Sequence, residues 1–421
     1  MLLFVVLGLC LLIILVSKKV NVIVAAPLVI IFVALGNGMS PYELVTGPYV
    51  AGAAGFIESF IFIFILGAIF GKVMEQSGGA YSIGNALVAM LGTKRAATAI
   101  FLASLLLGVG GIAGFVIIFT LYPLGLSVFD QANLPRRLLI PSIGAGIIMA
   151  ISAPATPQIQ NLMPMDYLGT TSTAGFWPGI FSVTVSSVII ALYLEHVAAR
   201  ARRREEVFDH PEGYVPRAGG GFPPVYLACI PLISIVVLLS VFQLDPLVSL
   251  GSGVLLAFIV LFSWLPKPLE VLNEGTKTAM MPLLFASSSV GFGVALQAVP
   301  AFLTFIEALA DSTLNPLVLA GITTNVAAGL VGSASGGVVL TLTTVAPELS
   351  ASADPALLHR VITLAAAGLD TLPHNNGYLT MLAFSGLTFA QTYKEYFVTT
   401  VVAPVFALAL LLFLFSVGVF V

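Results

Sequence analysis

Charge is scarce in this chain. Only 8% of its 421 residues are Asp, Glu, Lys or Arg, against 59% hydrophobic residues, and the mean hydropathy is +1.09. A composition so far from soluble averages excludes a water-solvated globular domain. A formal net charge of -3 offers no electrostatic footprint for nucleic acid or for an acidic partner. Cysteine is nearly missing as well. Cys10 and Cys229 stand alone in apolar runs, without metal-ligand spacing or a disulfide framework. The four histidines, His196, His210, His359 and His374, are scattered rather than paired, so a metal-dependent membrane enzyme has no visible ligand set. No serine stands beside a base as a nucleophile requires, and no acidic ring suggests a channel filter. No organic cofactor or metal is expected. Basic residues are also missing before the first apolar run. Lys18-Lys19 follow it, which predicts an uncleaved first span that enters with its N-terminus outside.

What the chain has in abundance is long apolar runs. At about 20 residues per crossing, its length admits roughly ten to twelve spans. One series of runs falls near 2–16, 20–36, 56–74, 96–110, 112–128, 138–152 and 176–194. A second falls near 223–242, 246–264, 281–298, 314–331, 334–348, 356–371 and 396–420. Between them lies the long hydrophilic stretch 196–222, whose Arg200, Arg202, Arg203 and Arg204 place it in the cytoplasm. The chain thus divides into a first half, 1–195, a cytoplasmic linker, 196–222, and a second half, 223–421. Lys94-Arg95, Arg136-Arg137 and Lys267 share the cytoplasmic side if 112–128 re-enters rather than crosses, with Arg360 left outside as an exception. The stretches 42–54, 79–91, 269–278 and 301–310 are too short or too polar to span and are expected at the interface. No arginine or lysine is expected deep inside a span.

Against this apolar background, 369–377 stands out, with Asp370, His374, Asn375 and Asn376 set around Pro373 and Gly377. An ionisable group at membrane depth is expensive and marks a functional site with partners. Proline and glycine break a helix there, which is tolerated only where the freed backbone is buried or lines a cavity. Broken helices at mid-membrane are how secondary transporters build a substrate site.

The two series match at a shift of about 222 residues. Phe70-Gly71 meets Phe292-Gly293, and Gly110-Gly111 meets Gly332-Ser333 at that same offset. With a slip of three residues, Ala153-Pro154 meets Leu372-Pro373. One half starts outside and the other in the cytoplasm, so an inverted repeat is expected. The glycine-rich clusters 108–114 and 332–337 sit at mid-hydrophobic positions. A helical hairpin turned at such a cluster would aim helix N-termini at one point and favour an anion. Close helix packing by small residues is the alternative reading.

The motif Leu369-Asp370-Thr371-Leu372-Pro373-His374-Asn375 is followed by Ser385-Gly386-Leu387-Thr388 and Tyr393-Lys394-Glu395-Tyr396-Phe397. Together they resemble the C-terminal signature of the gluconate:proton symporter family. Gly332-Ser333-Ala334-Ser335 resembles that family's glycine-serine hairpin tip. The likeness extends loosely over the whole chain through segment order, the central break and the repeat. It implies membership of a larger ion-transporter superfamily. The expected fold is an all-α polytopic membrane protein with paired re-entrant hairpins and broken helices. A scaffold, a moving transport domain of elevator type and a homodimer in the plasma membrane are also implied. Asn376 stands where relatives often have a small residue, and 152–158 departs from gluconate carriers. A shorter hydroxy acid such as 3-hydroxybutyrate therefore stands beside gluconate as the expected substrate.

Without a buried cation, a carboxylate would rest on helix N-termini and on Gly110, Gly111, Thr156, Gly332, Ser333, Ser335, Gly336, Asn375 and Asn376. Such a site suits a weakly charged monocarboxylate better than citrate. Proton coupling needs a group whose protonation changes with access to the two sides. Asp370 leads, because low dielectric disfavours a bare carboxylate. His374 lies four residues on and titrates near physiological pH when unperturbed. Glu58, near the outer end of its run, is a further intramembrane acid. A helix cap for Asp370 and a carbonyl hydrogen bond for His374 are the structural alternatives. Sodium coupling through Asn and Ser oxygens and hairpin carbonyls is the alternative to proton coupling.

Overall fold

The computed structural model describes residues 2–18, 20–211, 221–302, 314–373 and 375–420, and among these every regular element is helical. The first half runs α1 (Leu2–Ser17), α2 (Val22–Gly36), α3 (Pro41–Gln76), α4 (Gly79–Leu91), α5 (Ala96–Val109), α6 (Gly114–Gln131), α7 (Leu139–Ser152), α8 (Ile159–Leu168) and α9 (Phe176–Arg203). The second runs α10 (Val225–Ser240), α11 (Pro246–Leu261), α12 (Pro268–Gln297), α13 (Pro316–Val331), α14 (Ala334–Thr344), α15 (Pro355–Ala366), α16 (Asn376–Ser385) and α17 (Phe389–Ser416). Many starts are set by side chains. Asn21, Ser40, Asp245, Asn315 and Asp354 each accept a backbone N–H of the following turn. Pro41, Pro246, Pro316 and Pro355 stand at the first helical position, where no N–H is needed.

Two helices are the longest of the described set. α3 has 36 residues and α12 has 30. At about 1.5 Å per residue both exceed a hydrocarbon core of about 30 Å, so they tilt or project. They pack on each other along their length. Glycines allow the close approach: a Cβ at Gly291 would meet the Tyr49 carbonyl, and one at Gly275 the Ile69 backbone. The stretches 42–54 and 269–278 therefore do not form separate interfacial helices. They are the first turns of α3 and α12, because no breaker separates them from the apolar run. Pro48, the one obstacle in α3, is absorbed by a π-helical turn, Val45–Tyr49. The stretch 79–91 is a separate helix, turned by 111° from 93–109 after Gly92. Most of 301–310 lies outside the described residues.

Five described helices are long and apolar enough to cross a membrane, or six with the bent pair 79–91 and 93–109 counted as one. That is fewer than composition suggested, because several apolar runs are interrupted. α5 turns back as α6 through 110–113, and α13 turns back as α14 through 332–333. α7 stops at Ser152 and resumes as α8. α15 stops at Ala366, forms a single 3-10 turn, Leu369–Thr371, and resumes as α16.

Packing within and between the halves comes in reciprocal pairs. α3 packs on α11 as α12 does on α2, and α3 on α6 as α12 does on α14. α8 meets α14 as α16 meets α6, and α7 meets α17 as α15 meets α9.

Candidate functional site

All four interruptions meet at one cavity of about 270 Å³. One hairpin tip contributes Gly111, Ala113 and Gly114, and the other Gly332, Ser333, Ala334 and Ser335. The breaks add Pro157, Gln158 and Gln160 on one side and Asp370, Thr371 and Asn375 on the other. The long pair closes it with Ile63, Phe64 and Gly67 of α3 and Ala279, Pro282 and Phe285 of α12. The first turns of α6, α8, α14 and α16 open onto this space through Gly114, Ile159, Ala334 and Gly377. Unpaired N–H groups and the positive ends of the helix dipoles make such a convergence favourable for an anion.

The tips owe their shape to glycine. Gly111 has φ +97° and Gly332 φ +66°, in the left-handed region that costs an L side chain energy. Beyond Gly332, Ser333 caps α14: its Oγ accepts from Gly336 N at 3.4 Å and lies 3.1 Å from Ser335 Oγ.

Asp370 is the only charged side chain on the wall among the described residues. It is 6% exposed and sits in the isolated 3-10 turn of the second break. Its carboxylate accepts from Asn375 Nδ2 at 3.0 Å and lies beside the backbone N–H of Ala334 at the start of α14. The same Nδ2 reaches the Gly332 carbonyl at 3.2 Å, while Asn375 Oδ1 accepts from Tyr378 N at 2.8 Å and caps α16. One amide thus stitches the break, the acid and the hairpin tip together.

Gln158 does the corresponding work in the first half from the cap position of α8. Its Nε2 donates to Gly108 O at 2.7 Å and Ile112 O at 3.1 Å, on either side of the tip. Sequence reasoning did not select Gln158 or Gln160; the correspondence of Gln158 to Asn375, each at the cap of its resumed helix, emerges only in the structure.

The expected site residues are only partly brought together. Gly111, Gly332, Ser333, Ser335, Asp370 and Asn375 line the cavity. Gly110 does not, because a Cβ there would collide with Leu232, so it serves the packing of α10. Thr156 turns away from the cavity and donates to the Val109 carbonyl at 3.3 Å. Gly336 lies behind the tip, its N–H held by Ser333. Glu58 is exposed and stands apart from the site. At about 100° per residue it lies roughly opposite Gly67, which faces the cavity. His374 and the side chain of Asn376 lie outside the described residues.

The expectation that no cation is buried fails at Arg360, which is 0% exposed. Its Nε and Nη2 donate to Ala174 O at 3.0 and 2.8 Å, Nη2 to Asn161 Oδ1 at 3.0 Å, and Nη1 to Ser152 O at 3.4 Å. Adjacent His359 sits 3.2 Å from the same Asn161 oxygen, and Thr363 donates to Gln160 O at 3.4 Å. One face of α15 thereby grips the first break. The guanidinium replaces water with carbonyl oxygens freed where the backbone is irregular. Arg360 was misplaced because a charge close after an apparent span start reads as a boundary residue.

A family model for GntP family permeases matches residues 1–418. The chain is 32% identical to an uncharacterized transporter, YxjC, of Bacillus subtilis, over 92% of this chain and 93% of that protein. It is 33% identical to the high-affinity gluconate transporter of Escherichia coli over 30% of this chain and 28% of that protein. It is 36% identical to the gluconate permease of Bacillus subtilis over 24% and 22% respectively. Among solved structures it resembles the YdaH transporter of Alcanivorax borkumensis, with TM-score 0.59 and 14% identity over 90% of this chain and 89% of that one. At that identity the likeness concerns the fold.

Proposed function

The chain belongs to the GntP permease family, a family of membrane transporters rather than enzymes, and from that membership we propose that it takes up a small organic anion together with a proton. The anion is a gluconate-type sugar acid or a shorter hydroxy acid such as 3-hydroxybutyrate. The observation that carries the reading is the cavity itself. Four helix starts favour a carboxylate, and Asp370, the one buried acid among the described residues, is tied through Asn375 to the tip that would contact it.

The coupling logic is electrostatic. An ionised Asp370 moving with an anionic substrate would place two negative charges in low dielectric. A proton on Asp370 removes one, so loaded movement is favoured when the external pH falls. His374 assists as a proton relay.

The reciprocal packing within and between the halves supports an inverted repeat, 1–195 and 223–421, joined by the linker 196–222. In this reading α3 and α12 belong to a fixed scaffold. The hairpins and breaks form a body that slides past them as an elevator, and two copies assemble in the plasma membrane with their N-termini outside.

The test is uptake of labelled gluconate and 3-hydroxybutyrate into vesicles containing the protein, with a panel of sugar acids, hydroxy acids and dicarboxylates as competitors. Accumulation driven by an inward proton gradient without sodium is expected, with monocarboxylates as the effective competitors. Uptake that requires sodium at every pH would move the assignment to a sodium-coupled carrier.

A further inference from the structure

Six basic side chains, Lys94, Arg95, Arg200, Arg202, Arg203 and Arg204, are exposed where α9 ends beside the start of α5. Two bonds hold the helix ends together. Arg202 Nη2 donates to Lys94 O at 2.8 Å, and Thr98 Oγ1 donates to Glu195 Oε1. None of the six cations is in an ion pair among the described residues. Of the acids on the same end of α9, Glu195 is bonded to Thr98 and Glu206 pairs with Arg137 at 2.7 Å. Glu205 alone is left to oppose the cluster.

The depth of the cluster follows from α9. Trp177, 71% exposed, stands at the other end of that helix, and exposed tryptophan marks a membrane–water boundary. The rise from Trp177 to His196 is about 29 Å at about 1.5 Å per residue, close to a hydrocarbon core of about 30 Å. Val188, Leu192, His196 and Arg203 are all exposed and share one face within about 80°, at about 100° per residue. That face is apolar at hydrocarbon depth and turns basic at the boundary, so Arg200 and Arg203 stand level with the headgroups. α4 ends at the same place, with exposed Met90 just before Lys94.

We infer that these side chains form a binding surface for the phosphate headgroup of an anionic phospholipid. Guanidinium groups hold phosphate by paired N–H donors, and basic clusters beside a span gather anionic lipid. A second copy of the chain does not fit, because a two-fold contact centred here would set like charges against each other. α5 runs from this surface to the hairpin tip at Gly111, so the lipid is held at the root of the first hairpin.

The purified full-length protein in neutral detergent tests this, with phosphatidylglycerol, phosphatidylcholine and free glycerol phosphate as probes. Bound lipid is counted by native mass spectrometry. The wild type is expected to retain phosphatidylglycerol over phosphatidylcholine by at least about fivefold, a preference that shrinks as salt rises. Lys94→Gln, Arg95→Gln, Arg200→Gln, Arg203→Gln and Arg204→Gln combined should bring the ratio to about twofold or less, with phosphatidylcholine retention unchanged. Arg202 is kept because it holds α9 against α5. Should the combined variant fail to fold, the pairs Lys94→Gln with Arg95→Gln and Arg203→Gln with Arg204→Gln should each lower the ratio at least about twofold. Lys267→Gln with Lys277→Gln, which removes exposed cations elsewhere, should leave it unchanged. A wild type without headgroup preference, or basic-cluster variants that keep it, overturn the surface. An equal loss in the Lys267 and Lys277 variant overturns its location. Displacement of phosphatidylglycerol by an equal concentration of glycerol phosphate overturns the lipid and points to a soluble phosphate ligand.

Discussion

Asp370 and Arg360 flank one stretch of chain, the first touching the cavity and the second anchoring the wall behind it. They predict different phenotypes. Arg360→Leu leaves Ser152 O and Ala174 O without the guanidinium, and Asn161 Oδ1 with His359 alone, at about 1–3 kcal/mol for each buried group left unsatisfied. The melting temperature in detergent should fall in the order wild type, Arg360→Lys, Arg360→Leu, because an ammonium donates less broadly than a planar guanidinium. Equal melting temperatures for Arg360→Leu and the wild type would remove the anchoring role. Asn375→Ala should lose about 1 kcal/mol as a helix cap. It should also weaken substrate binding, as should Ser333→Ala. Unchanged uptake affinity in both variants would place the substrate elsewhere.

The hairpins are the elements on which the site depends, and their tips tolerate little. A Cβ on Gly337 would press on the Ala328 backbone, where α14 crosses α13. Gly337→Leu is expected to force the two arms apart and to abolish ligand-induced stabilisation while leaving an all-helical circular dichroism spectrum. Full stabilisation by ligand in that variant would show that the tip is not part of the site. The helix breaks and the glycine tips were legible in the sequence because proline, glycine and serine in an apolar run have few structural uses. The two long helices were not, since a polar first turn followed by an apolar run looks like an interfacial helix followed by a span. Gln158 and Gln160 escaped notice for a related reason. A glutamine carries no charge to betray its depth, and its role becomes visible only once the first tip folds against it.

At the scale of the whole molecule, reciprocal packing relates the halves, yet their chemistry is unequal. At the shift that pairs Pro154 with Pro373, the first break has Ile151, Ser152 and Thr156 where the second carries Asp370, Thr371 and Asn375. In the proposed reading, reciprocal packing with Asp370 as the one acid on the cavity wall among the described residues suits a carrier that binds a single proton per cycle, so uptake should rise as external pH falls and be insensitive to sodium. The most direct measurement uses purified wild type and Asp370→Asn in sodium-free proteoliposomes, with labelled gluconate and 3-hydroxybutyrate as probes. An inward proton gradient should drive accumulation by the wild type. Asp370→Asn should fail to accumulate either acid while still exchanging internal for external substrate. Accumulation by Asp370→Asn with the pH dependence of the wild type would contradict the account and leave Asp370 a structural tie between the second break and its hairpin.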